Sequence, residues 1–121
     1  MAKNRVLIVE DHTPTRDILS RIFIREGWDT CTATTLEEGL ACLDPPPDCV
    51  VLDLNLPDGQ GEAILRAIRE DGLPTRVVAV TTGMSDPSRW AEVTLYRPDV
   101  MILKPIDPEI LCRLCAVEVG G

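Results

Sequence analysis

Residues 49–61 read CVVLDLNLPDGQG. The opening CVVL is an unbroken apolar run that leads straight into Asp53. Strands that are buried on both faces lose the alternation of a half-exposed strand and read as continuous apolar stretches. Residues 49–52 are therefore expected to form a central strand, with Asp53 at its carboxyl end.

Working outward, the same pattern recurs at regular intervals. Upstream, Arg5–Val9 is a short apolar run, and residues 28–33 are a plausible second strand. Between them, Thr13-Pro14 reads as an N-cap followed by proline in the first helical turn. Ile18, Leu19, Ile22 and Phe23 follow at helical spacing, and Gly27 closes the helix. Thr34-Thr35-Leu36-Glu37 fits a capping box, with Leu36, Leu40 and Leu43 on one face behind it, before the triple proline at 45–47.

Downstream, Ile64, Leu65 and Ile68 mark a third helix that stops near Gly72-Leu73-Pro74. Residues 77–80 (VVAV) form another buried strand, ending in Thr81-Thr82-Gly83. Asp86-Pro87 opens a fourth helix carrying Trp90, Val93 and Tyr96. Val100–Leu103 is a fifth strand ending at Lys104-Pro105, and Asp107-Pro108 opens a last helix with Ile110, Leu111 and Leu114 inward. The order is (βα)5. Apolar strands alternating with amphipathic helices imply an α/β fold with a parallel sheet covered on both faces, joined by right-handed crossovers.

The 121 residues suit one domain spanning 1–121. Hydrophobic residues make up 45% and aromatics 3%, so the core must be mainly aliphatic. No apolar run exceeds about five residues, far short of the roughly 20 that cross a bilayer. The opening MAKNRVLIVED is too short in its apolar part for an export signal. A soluble, cytoplasmic protein is expected, with no membrane role. The net charge of −8 argues against direct nucleic-acid binding. The five cysteines are expected as reduced thiols. Cys112-x-x-Cys115 falls inside a helix, so it is read as a pair of buried small apolar residues and not a redox motif.

The polar residues that carry chemistry collect at one end of the expected sheet. Glu10 and Asp11 follow the first strand, Asp53 ends the third, Thr81 and Thr82 end the fourth, and Lys104 ends the fifth. Ligands of open α/β sheets bind beyond the carboxyl ends of the strands. Neighbouring carboxylates repel unless a cation compensates. Magnesium suits an all-oxygen site and binds substrate phosphate oxygens. A carboxylate can attack phosphorus to give an acyl phosphate, while a metal and a lysine neutralise the phosphoryl oxygens.

With LIVED near the start, VVLDLNLPDGQG in the middle, VVAVTTG and LKP near the end, the chain resembles a response-regulator receiver domain of two-component signalling, of the chemotaxis-regulator kind, over essentially its whole length. The resemblance implies a flavodoxin-like, doubly wound sheet with strand order 2-1-3-4-5. It implies that Asp53 accepts the phosphoryl group and that Glu10, Asp11, Asp53 and the Asn55 backbone carbonyl hold Mg2+ (or Mn2+). Thr81 would be the switch hydroxyl and Lys104 the phosphate-contacting lysine, while Pro57, Gly59 and Gly61 shape the turn after the acceptor. The implied partner is a histidine kinase or histidine phosphotransfer protein. The implied enzymatic capacity is at most weak self-phosphorylation from small phosphodonors and autodephosphorylation. A homodimer through the fourth helix, fifth strand and fifth helix is left open.

Two positions depart from the family pattern. Met101 stands where an aromatic usually precedes the lysine by three residues, and Thr82 stands where alanine or glycine usually follows the switch hydroxyl. These departures keep a phosphorylation-independent, receiver-like interaction module as the first rival. An aspartate-nucleophile phosphohydrolase is the second; it needs a second acid two residues after the nucleophile, and Asn55 stands there. A flavodoxin would need a Ser/Thr/Gly-rich phosphate loop after the first strand, which the sequence does not contain.

Overall fold

The computed structural model describes residues 3–81 and 87–120, with the Thr81 side chain outside that set. Thr82, at the position after the expected switch hydroxyl, also lies outside the described residues. Five strands form one sheet: β1 (Arg5–Val9), β2 (Asp29–Ala33), β3 (Cys49–Asp53), β4 (Arg76–Thr81) and β5 (Val100–Leu103). Every neighbouring pair is parallel, and the spatial order is β2-β1-β3-β4-β5. This is the expected flavodoxin-like order.

Strand periodicity divides the core into two layers. Val6 and Ile8 of β1, Cys49 and Val51 of β3, and Val78 and Val80 of β4 face α1 (Thr13–Arg25) and α5 (Pro108–Glu118). Leu7, Val9, Val50, Leu52, Val77 and Ala79 face the opposite layer. That layer is built by α2 (Leu36–Ala41), α3 (Glu62–Glu70) and α4 (Pro87–Leu95). All five residues of β3 are buried, which explains the unbroken apolar run in its sequence. Ile64, Leu65 and Ile68 of α3 are fully buried; each contributes roughly 1.5–3 kcal/mol by leaving water. Phe23 and Trp28 meet edge to face with centroids 5.3 Å apart, one of the few aromatic contacts such a core can offer.

Several boundaries move. His12, not Thr13, occupies the N-cap of α1, so Pro14 sits one position deeper in the first turn. The Thr13 hydroxyl instead accepts from the Arg16 guanidinium at 3.3 Å. The capping box of α2 lies one residue later: Thr35 Oγ1 accepts from the Glu38 amide at 3.1 Å, and the Glu38 carboxylate returns to the Thr34 amide at 2.6 Å. Because α2 ends at Ala41, Leu43 packs from beyond the helix, and Leu40 is exposed. Ile110, expected inward, faces solvent, as does Ile18 of the helical-spacing set in α1, while Cys112 and Cys115 fill the inner face of α5. The reading of that cysteine pair as buried helical packing therefore holds.

Candidate phosphoacceptor site

The order of the sheet reverses between β1 and β3, and the crevice at such a switch point is where an α/β sheet offers a site. Glu10 and Asp11 leave β1 there, and Asp53 is the last residue of β3. Glu10 and Asp53 are each 4% exposed, whereas Asp11 is exposed. One carboxylate oxygen from each of the three lies within 4.8 Å of the others. Lys104, one residue past β5, reaches between them: its Nζ is 3.4 Å from Glu10 Oε1 and 3.4 Å from Asp53 Oδ2.

Three carboxylates against one ammonium leave an excess of negative charge. Burial, then the hydrogen bond and charge of Asp53, push the Glu10 carboxyl up to about 7, against the opposing pull of Lys104. Burial alone would lower the Lys104 ammonium, but the charges of Asp53 and Glu10 outweigh it and hold it above its ordinary value. The cluster is short of positive charge and made wholly of oxygen donors. That donor set fits a hard divalent cation such as Mg2+.

The loop after Asp53 is tied down from several sides. The Asn55 amide donates to Asp53 Oδ1 at 2.9 Å. Asn55–Leu56 and Gly59–Gln60 form a two-residue antiparallel ladder that the sequence pattern does not announce. Gly61 must be glycine because a Cβ there would stand 2.4 Å from the Asp53 carbonyl oxygen and 3.0 Å from Leu54 Cα, both backbone. The Asp58 carboxylate accepts from the Leu36 and Glu37 amides at 2.7 and 3.2 Å, so this loop also caps α2.

Of the residues expected at the site, Glu10, Asp11, Asp53 and Lys104 come together, and Asn55 stands beside them. The Thr81 backbone ends β4 and pairs with Leu103. Met101 packs with Tyr96 against the α2–α3–α4 layer. Sequence reasoning missed three participants. Arg16 pins the acid-bearing loop through the Glu10 and Asp11 carbonyls, at 3.1 and 3.3 Å. Glu62, 4% exposed, pairs with Arg89 of α4 at 2.7 Å. One signal was available: Glu62 stands three residues before Leu65, which places an acid on the apolar stripe of α3.

The family model for the response regulator receiver domain matches residues 6–116. This chain is a response-regulator receiver domain. It is 35% identical over 112 residues to the transcriptional regulatory protein TrcR of Mycobacterium tuberculosis, covering 91% of this chain and 43% of that protein. It is 26% identical over 116 residues to the phosphate regulon regulator PhoB of Escherichia coli, covering 93% of this chain and 51% of that one. The receiver domain thus spans about half the length of these relatives or less. The CheY-like receiver domain protein of Methanospirillum hungatei superposes with a TM-score of 0.89 at 25% identity, covering 98% of this chain and 95% of that one. Receiver domains belong to two-component phosphorelay signalling and are generally signalling rather than catalytic modules. Among the described residues, no helix is long and apolar enough to cross a membrane.

Proposed function

We propose that Asp53 takes a phosphoryl group from a histidine kinase or histidine phosphotransfer protein in a reaction that requires Mg2+. The observation that carries this reading is a buried strand-end carboxylate that lies within 4.8 Å of two more carboxylates and 3.4 Å from a lysine. Glu10, Asp11, Asp53 and the Asn55 backbone carbonyl are the residues that would hold the ion. When bound, the ion supplies positive charge to the phosphoryl oxygens. An Asp53 oxygen attacks phosphorus, the bond to the donor nitrogen breaks, and the departing imidazole keeps the electron pair and takes up a proton. Lys104, released from Glu10, meets the arriving charge, and the Thr81 hydroxyl donates to a phosphoryl oxygen. Attack by water later returns inorganic phosphate and the free carboxylate. Small phosphodonors such as acetyl phosphate would serve slowly in place of the kinase.

A groove of about 520 Å³ opens beside the site between α1 and the residues after β5, lined by Thr15, Ile18, Lys104, Pro105 and Ile106 among others. Its exposed apolar wall supports docking of the phosphodonor protein there. Trp90, Leu95, Leu103, Ile110 and Val117 leave apolar side chains exposed on α4, β5 and α5, which supports that face as the output surface and as the contact for a second copy. The test is incubation with acetyl phosphate and magnesium followed by intact-mass measurement. One phosphoryl increment that is lost in chelator is expected. A protein that stays unmodified under saturating donor and metal contradicts the proposal.

A further inference from the structure

The Arg89 guanidinium is the hub of a contact set that neither the acid cluster nor the core requires. Its Nε donates to Glu62 Oε2 at 2.7 Å and one terminal nitrogen to Glu62 Oε1 at 2.9 Å, a bidentate pair with a buried carboxylate. Two further donors turn to the acceptor loop. One reaches Asn55 Oδ1 at 2.8 Å, and another reaches the Leu54 carbonyl. That carbonyl already accepts from the Gly61 amide at 3.1 Å, so the guanidinium occupies its second lone pair. The chain of bonds is continuous: the Asp53 carboxylate accepts from the Asn55 amide, and Asn55 and Leu54 are gripped by Arg89.

A staple joining α3 to α4 needs only Glu62 and a cation. Binding Leu54 and Asn55 as well requires a planar fork with several donors, which lysine lacks. We infer that Arg89 is a positioning residue: anchored by Glu62, it fixes the 54–55 segment so that the Asp53 carboxylate and the Asn55 backbone are preset for the metal. This inference rests on the reading of Asp53 as a magnesium-dependent acceptor. Replacing partners that orient metal ligands typically lowers metal affinity by about 10–100-fold.

The test measures Mn2+ binding to the unphosphorylated protein by electron paramagnetic resonance, together with acetyl phosphate labelling across a magnesium titration. Arg89→Lys keeps the charge beside Glu62 but loses the fork. Its Mn2+ dissociation constant should rise roughly tenfold. The magnesium needed for half-maximal labelling should rise in parallel, and the rate at saturating magnesium should return to that of the native protein. Glu62→Gln, which leaves the bonds to Leu54 and Asn55 available, should shift both less. The double variant E62Q/R89Q leaves no buried charge unpaired and carries the same expectation as Arg89→Lys if that protein does not fold. Native metal affinity in a folded Arg89→Lys or E62Q/R89Q protein would overturn the inference while leaving the acceptor assignment standing. A native protein that binds no Mn2+ and takes no phosphate overturns the acceptor reading itself.

Discussion

At the carboxyl end of the sheet, Asp53 and Glu10 are buried together with a single lysine between them. At the amino end, Asp99 sits just before β5 and meets the opposite treatment. It accepts from the Val77 amide at 2.7 Å and from Arg69 and Arg76 at 3.0 and 3.3 Å. Burial alone would raise the Asp99 carboxyl, but the Val77 amide and the two guanidiniums outweigh it and hold it below its ordinary value. Arg69 also binds the carbonyls of Thr75, Tyr96 and Arg97, so the amino end is closed by matched donors and acceptors. One end of the fold spends its charges on itself. The other leaves a surplus of negative charge aimed at a crevice, an arrangement costly to the apo protein and suited to the cation and phosphoryl group of the proposed function.

The largest expected difference follows from exchanging the two acids for neutral residues. Asp53→Asn should abolish labelling and raise the thermal midpoint, because it relieves repulsion with Glu10. Asp99→Ala should do the reverse: labelling persists, while urea unfolding shows a loss of about 2–3 kcal/mol, the scale of hydrogen bonds to a charged group. If Asp99→Ala stopped phosphorylation without unfolding the protein, the division between the two ends would be wrong.

The pH dependence of stability sharpens the contrast. In metal-free protein the folded state holds the Glu10 proton up to about 7, against 4.5 when unfolded. Stability from this group therefore falls as pH rises from 4.5 towards 7. Glu10→Gln should flatten that slope, measured as thermal midpoint against pH in chelator. Asp99 carries the opposite sign. Its contribution is complete above its ordinary 3.8 and is lost as pH falls through its depressed folded value. A Glu10→Gln protein with an unchanged slope would show that the acid cluster carries no strain.

The smallest effect belongs to a third acid. Glu109 lies 2.7 Å from Arg25, closer than any partner of Lys104, yet both side chains are about half exposed. Glu109→Ala should change the unfolding midpoint by no more than experimental error, since exposed pairs are screened and mobile. A large loss there would make distance, and not burial, the governing variable.

The sequence disclosed the carboxyl end of the sheet more fully than the amino end, for a physical reason. Asp53 closes an apolar strand, Glu10 and Lys104 directly follow one, and Asp11 is next to Glu10, so strand periodicity delivers them to one crevice without any knowledge of tertiary contacts. Arg69 and Arg89 act across 30 and 27 residues, on Asp99 and Glu62 respectively. Nothing local marks an arginine whose partners are set by helix packing. Helix faces were legible where the stripe was long, as in α3, and misread where a helix was short or edge-lying: Leu40 and Ile110 fit an apolar period yet face solvent. The ladder at Asn55 and Gln60 escaped because two-residue strands carry no period.

The central claim is that the surplus charge at the carboxyl end serves phosphorylation on Asp53. Borohydride trapping tests it at the residue. After acetyl phosphate and magnesium, hydride reduces an acyl phosphate to the alcohol with loss of phosphate, so an aspartyl phosphate becomes homoserine. Peptide mass spectrometry should find homoserine at position 53 alone, in the magnesium sample and not in chelator. Homoserine at position 11, or none anywhere in fully active reagents, would contradict the account.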